Sequence, residues 1–131
     1  MQNYFPIKQD GFEIKIFFSS VLFLKASGKQ LRIFADNKEY VTRLSIRQFL
    51  RLANSDVSLF CQVHKSYAVQ LNQIEMFNNH TVVVKGTLIP IGRQYKRKLL
   101  NILKPEIASS DNKGLTEIFP LYPIMGTGYI S

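Results

Sequence analysis

Short apolar runs separated by polar residues, glycine and proline limit what residues 59–91 can fold into. The runs cover residues 59–63, 67–71, 74–77, 81–85 and 88–91. Each is too short for a stable helix and is typical of a β-strand. Asn78-Asn79 and Lys85-Gly86-Thr87 are turn signals between consecutive runs. The sequence therefore predicts an antiparallel meander over residues 74–91.

Two polar insertions interrupt the strand-like pattern, and each contains a cation. The first is His64-Lys65-Ser66, and the second is Gly92-Arg93-Gln94. Each places its cation beside small or neutral hydrogen-bonding groups, a combination that suits base edges and phosphate oxygens. DNA binding is therefore the first functional hypothesis that the sequence raises.

The rest of the chain predicts further strands and two helices. Strands are predicted over residues 12–18, 21–25, 30–35 and 39–43, the last two as a hairpin. Ser45 and Gln48 have the spacing of a capping box, and apolar residues at helical spacing follow. A second helix is predicted over residues 93–103, before Pro105. The predicted fold class is mainly β, with short antiparallel strands and two short helices.

The charge of the 131-residue chain is positive and unevenly distributed. The formal net charge is +8, and residues 1–104 hold 16 Lys and Arg against 6 Asp and Glu. Residues 105–131 hold 1 against 3. A domain with this excess attracts polyanions, and nucleic acid is the commonest polyanionic partner of a basic domain. The alternative is a basic surface that serves solubility alone.

The single cysteine, Cys61, excludes an intramolecular disulfide, a thiolate zinc cluster and a CxxC redox pair. Its apolar neighbours predict a small core residue, and the chain fits a reducing cytoplasm. Neither a signal peptide nor a membrane span is predicted. Cys61, His64 and the few carboxylates lack the spacing of a catalytic triad or a metal site. We therefore expect no enzymatic activity and no cofactor.

Four segments, taken in order, resemble the LytTR family of bacterial DNA-binding domains. They read VLFLKASGKQLRIF, EYVTRLSIRQFL, FCQVHKSYAVQLNQIEMF and GTLIPIGRQYKRKLL, within residues 12–104. The residues that match the family pattern are His64, Ser66, Tyr67, Val69, Pro90, Arg93 and Tyr95. The chain departs from the pattern at Lys65 for arginine, Gln70 for asparagine, Gly92 for serine, and Lys25 where an acid is usual.

The resemblance implies a compact β fold that presents loops, rather than a recognition helix, to the DNA major groove. By motif position, the implied base contacts fall on Lys29, Lys65 and Arg93. The implied phosphate contacts fall on Gln30, His64, Ser66, Gln94, Lys96 and Arg97. The resemblance also implies a transcriptional regulator that binds paired direct repeats of double-stranded DNA as a homodimer. We expect this regulator to act without a receiver domain.

The domain organisation is expected to have three parts: an N-terminal arm (1–11), the LytTR-like domain (12–104) and a C-terminal tail (105–131). The tail contains Phe119, Tyr122 and Tyr129 among prolines and glycines, so docking or dimerisation and a merely flexible end both stay open. Two other functions also stay open. One is RNA binding, and the other is a protein-interaction or anti-regulator module that heterodimerises through the tail.

Overall fold

The computed structural model describes residues 3–55 and 59–105. The chain divides into two compact units after Lys96. The predicted tail covers residues 105–131, and all of it after Pro105 is outside the described residues. No helix within the described ranges is long and apolar enough to cross a bilayer.

The described residues form ten strands and two α-helices, and all of these except the first strand were predicted, in this order. The strands are β1 (Tyr4–Gln9), β2 (Phe12–Phe17), β3 (Val21–Ser27), β4 (Gln30–Ala35), β5 (Lys38–Thr42), β6 (Phe60–His64), β7 (Tyr67–Gln70), β8 (Ile74–Phe77), β9 (Thr81–Val84) and β10 (Thr87–Pro90). The helices are α1 (Ile46–Ala53) and α2 (Arg93–Leu103). This composition confirms the predicted fold class.

The largest sheet has five antiparallel strands in the order β5-β4-β3-β7-β6. Leu24 of β3 pairs with Ile33 on one side and with Ala68 on the other, and all three side chains are fully buried. Phe23 is also buried, and it is directed to the opposite face because successive residues of a strand alternate. Both faces of the sheet are therefore buried along β3.

The first strand lies in the segment that the sequence analysis treats as an N-terminal arm. β1 lies within residues 1–11 and pairs with β2 along its whole length, from Tyr4 to Gln9. Phe5 and Ile7 of β1 are buried in the same core cluster as Ile16 of β2. Burial of apolar side chains stabilises β1 as part of the first unit.

Helix α1 begins at the predicted capping box. The Gln48 backbone N–H donates to Ser45 Oγ at 3.0 Å, and the Ser45 N–H donates to Gln48 Oε1 at 2.8 Å. These two bonds satisfy donors that have no partner within the helix. On its buried side, the Phe49 ring packs against the rings of Phe5, Phe18 and Phe60, with centroids 5.1–5.6 Å apart.

Replacing Ser45 with alanine is expected to lower the free energy of unfolding by about 0.5–2 kcal/mol, because the cap oxygen is lost. Urea denaturation followed by circular dichroism measures this change. Ser27→Ala, at an exposed serine that ends β3, is the matched control. Equal stability of the two variants would show that the capping box contributes nothing.

Gln70 accounts for one departure from the family pattern. It is the buried polar residue of the described core, and its Nε2 donates to the carbonyl oxygen of Val21 at 2.7 Å. Carbonyl oxygens of Phe18 and Ser19 lie within 3.4 Å of the same nitrogen. The side-chain amide thus satisfies backbone acceptors at the turn before β3, where a buried carbonyl without a donor would be costly.

The predicted meander over residues 74–91 is confirmed. It forms a second, three-stranded sheet in the order β10-β9-β8. Asn78 makes the first turn, since its Oδ1 accepts from the N–H groups of His80 and Thr81, both at 2.8 Å. The N–H of Ile91 donates to the His80 carbonyl at 2.9 Å, so the chain leaves this sheet beside that turn.

Candidate nucleic-acid interface

Three polar turns of the first unit carry the residues that the family motif assigns to base contact. The first connects β3 to β4 through Gly28 and Lys29. Gly28 has φ +62°, which a residue without a Cβ adopts at low cost. This tight turn leaves Lys29 exposed between two strands whose ends, Ser27 and Gln30, are paired in register.

The second turn, His64-Lys65-Ser66, connects β6 to β7 and is held by its own hydrogen bonds. The Ser66 N–H donates to His64 Nδ1 at 3.0 Å, and Gln62 Nε2 donates to the His64 carbonyl at 3.1 Å. The Ala26 N–H donates to the Ser66 carbonyl at 2.8 Å, which links this turn to β3. Lys65 is exposed at the tip.

His64 has a structural role that also defines its remaining hydrogen-bonding group. Because Nδ1 accepts from the Ser66 N–H, we assign the proton of the neutral ring to Nε2. The ring also contacts Tyr67 edge to face, with centroids 5.6 Å apart. The half-buried side chain therefore fixes the turn and retains one N–H donor.

The third turn leads from β10 into α2 and lies beside the second. The Gly92 N–H donates to the Val63 carbonyl at 2.7 Å. A Cβ built on Gly92 would lie 3.4 Å from His64 Cα and 3.1 Å from Tyr95 Cδ2, so a side chain here would have to displace the tyrosine ring. Glycine therefore permits this close approach, and it places Arg93, the first residue of α2, next to the Lys65 turn.

A groove of about 510 Å³ brings two of the turns together. It is lined by Ala26, Gly28, Lys29, Gln30, Arg43, Leu44, Ser45, Ile46, Arg47, Gln62, Lys65 and Tyr95. Among these are the predicted contacts Lys29, Gln30 and Lys65. None of the acidic residues within 3–55 and 59–105 lines the groove.

The other residues assigned to phosphate contact surround this groove or lie further along α2. Ser66 is half-buried beside Lys65, while Gln94 is exposed and Lys96 half-buried in the first turn of α2. Arg97 is exposed and belongs to the second compact unit. The first unit therefore holds every assigned base contact and all but one of the assigned phosphate contacts.

Two groove residues, Arg43 and Arg47, were missed by the sequence prediction. Arg47 and Arg51 are one helical turn apart in the sequence, a spacing typical of a solvated helix face. The structure separates them: Arg47 lines the groove, whereas Arg51 lines a different cavity with Tyr4 and Phe18. The one signal in the sequence is the capping box, Ser45 to Gln48, which contains Arg47 and begins two residues after Arg43.

The groove has the chemistry of a polyanion-binding surface. Lys29, Arg43, Arg47 and Lys65 contribute four cations, and the ion pair found within the described residues joins Arg32 with Glu39, away from them. Cations without an acidic partner attract phosphate, and polar turns on a β scaffold can enter a nucleic-acid groove. These features define a nucleic-acid-binding domain.

Comparison with protein families identifies the domain. The model of the LytTr DNA-binding domain matches residues 13–104. The chain therefore belongs to the LytTR family of DNA-binding domains, as its sequence motifs predicted. Membership makes it a DNA-binding protein with a role in transcription regulation, in a family of DNA-binding domains rather than of enzymes.

Comparison with solved structures agrees on the fold. One is described as the LytTr DNA-binding domain of a methyl-accepting/DNA response regulator from Bacillus cereus. It matches with a TM-score of 0.68 and 21% sequence identity, over 79% of this chain and 99% of that chain. Comparison with curated proteins found no match.

Proposed function

We propose that the three turns read base edges in the major groove of double-stranded DNA, through Lys29, Lys65 and Arg93. Arginine and lysine both donate to guanine N7 and O6 in that groove, so the three positions favour guanine. The observation that carries the proposal is the acid-free groove that Lys29 and Lys65 share. The Gly92 to Val63 hydrogen bond supports the third position.

The neighbouring polar groups would hold the sugar-phosphate backbone. Gln30 lines the groove, and His64 retains its Nε2 donor beside Lys65. Ser66, Gln94, Lys96 and Arg97 add donors in or after the second and third turns. Backbone contacts of this kind fix register and orientation, while base contacts supply sequence preference.

The proposed biological role is that of a bacterial transcriptional regulator acting in the cytoplasm. The Bacillus cereus neighbour is described as part of a DNA response regulator, which supports this role. We propose that two copies bind paired direct repeats. Two domains that dock on the same side of a duplex need half-sites about one helical turn, or 10–10.5 base pairs, apart.

Selection of binding sites from a random duplex DNA pool tests the proposal directly. The purified chain is used at physiological salt, because nonspecific phosphate binding weakens steeply as salt rises. Enrichment of a short motif, repeated at one helical turn, is the expected result. Failure to enrich any motif would contradict base reading by the turns.

A parallel selection with single-stranded RNA tests the alternative that the basic surface binds RNA. Truncation after Lys104 tests the alternative that the protein acts through its tail. Removing residues 105–131 is expected to leave sequence-specific DNA binding intact, because every base contact assigned here lies before them. Loss of DNA binding on truncation would favour the alternative function, a protein-interaction module that heterodimerises through the tail.

A further inference from the structure

One wall of the groove is formed by the segment that enters α1. Arg43 follows the end of β5, and Arg47 is in the first turn of α1. The capping box, Ser45 to Gln48, includes Arg47 and is closed by two hydrogen bonds. Both arginines are exposed, and both line the groove with the two lysines. The backbone at Arg47 is therefore held by the cap at the start of the helix.

The charge environment of this wall differs from that of the other arginines nearby. Arg32 is paired with Glu39, so its charge is neutralised within the protein. Arg51, one helical turn beyond Arg47, lines a mainly apolar cavity with Phe5, Phe18 and Leu52. Within residues 3–55 and 59–105, no ion pair is found for Arg43 or Arg47. These two guanidinium groups are the ones available to an anion in the groove.

We propose that Arg43 and Arg47 form a phosphate-binding wall that grips the DNA backbone flanking the bases read by Lys29 and Lys65. This inference rests on the proposed function. Arginine suits the role because its planar fork donates two parallel hydrogen bonds to one phosphate group. The wall extends the DNA-contacting surface to β5 and α1, elements to which the family motif assigns no contact in this chain.

A phosphate-binding wall predicts a particular thermodynamic signature. Each phosphate neutralised releases condensed counterions, so the logarithm of the binding constant falls with the logarithm of salt with a slope of about −0.9 per contact. Losing one arginine should reduce the slope by about that amount and weaken binding to every duplex alike. Losing a base reader would instead reduce the preference for one sequence.

The experiment compares Arg43→Ala, Arg47→Ala and the double variant with the full-length chain. Arg51→Ala is the matched control, because it removes the same side chain from the same helix outside the groove. Fluorescence anisotropy gives the affinity for the selected site and for a scrambled duplex, from about 50 to 200 mM salt. Circular dichroism and thermal unfolding verify that each variant folds. An Arg47→Lys variant keeps the charge but loses the fork.

The expected result is equal weakening on both duplexes, with a slope smaller by about 0.9 for each single variant and about 1.8 for the double. Arg51→Ala should behave as the parent chain, and Arg47→Lys should keep the slope. An unchanged slope, or weakening confined to the selected site, would overturn the inference. If the parent chain selected no motif, base reading would fail. The slope on the scrambled duplex would still decide for or against the wall.

Discussion

Substituting Arg93 by alanine is expected to weaken binding to the selected DNA site about 10- to 100-fold, while binding to a scrambled duplex falls much less. A bidentate contact to guanine is worth about 1–3 kcal/mol of discrimination, and each 1.4 kcal/mol corresponds to a factor of ten. Arg93 begins α2 beside the Lys65 turn, so its loss removes a proposed base reader and none of the proposed backbone contacts. Anisotropy titrations on both duplexes measure the change.

Lys98→Ala is the control for this variant, because Lys98 is exposed on the same helix and is assigned no base contact. It should leave sequence preference unchanged and reduce affinity slightly, if at all. Equal losses on the selected and scrambled duplexes after Arg93→Ala would assign Arg93 to the phosphate backbone. Repeating the site selection with this variant would locate the base whose identity is no longer required.

Phe49→Ala is expected to cause the largest loss of stability, about 3–5 kcal/mol. Phe49 is 0% exposed, and three other phenylalanine rings contact it. Truncation therefore removes a large apolar side chain and leaves a cavity among groups from β1, β6 and the turn before β3. Urea denaturation gives the free energy of unfolding of each variant and so measures the effect. A loss of this size approaches the whole stability of many small domains.

Leu52→Ala on the same helix provides the comparison, because Leu52 is 48% exposed. Its truncation should cost far less, since solvent already contacts much of the side chain. Similar losses for the two variants would show that the phenylalanine cluster is not the main source of stability. If Phe49→Ala is too unstable to purify, Phe49→Leu keeps more volume and permits the same comparison.

Local patterns explain why much of the fold could be predicted from the sequence. The ends of β4, β8 and α2 were predicted correctly, and those of the other predicted strands to within two residues. Turn residues such as Asn78 act through their own side chains on the next few backbone groups, so their effect is visible in a short window. The Ser45 capping box is equally local.

Features that depend on residues distant in sequence were not predicted. β1 was missed because it contains Pro6, which is unusual within a strand, and only pairing with β2 and burial of Phe5 reveal it. The pairing of β3 with β7 joins segments more than 40 residues apart. The same applies to the groove, since nothing near Arg43 or Arg47 indicates that Lys65 lines it with them. Gly92 was recorded only as a missing serine, although its N–H donates to the carbonyl of Val63 in β6.

The backbone hydrogen bonds that link the second and third turns to neighbouring strands would affect how the proposed base readers recognise DNA. The Ser66 carbonyl is bonded to β3, and the Gly92 N–H is bonded to the end of β6. The loops are thus ordered before DNA arrives, and association need not immobilise them. Only side chains lose freedom, and lysine loses more per hydrogen bond formed than arginine does. Sequence preference can therefore change by exchanging a side chain at a turn tip, on a preorganised main chain that stays the same.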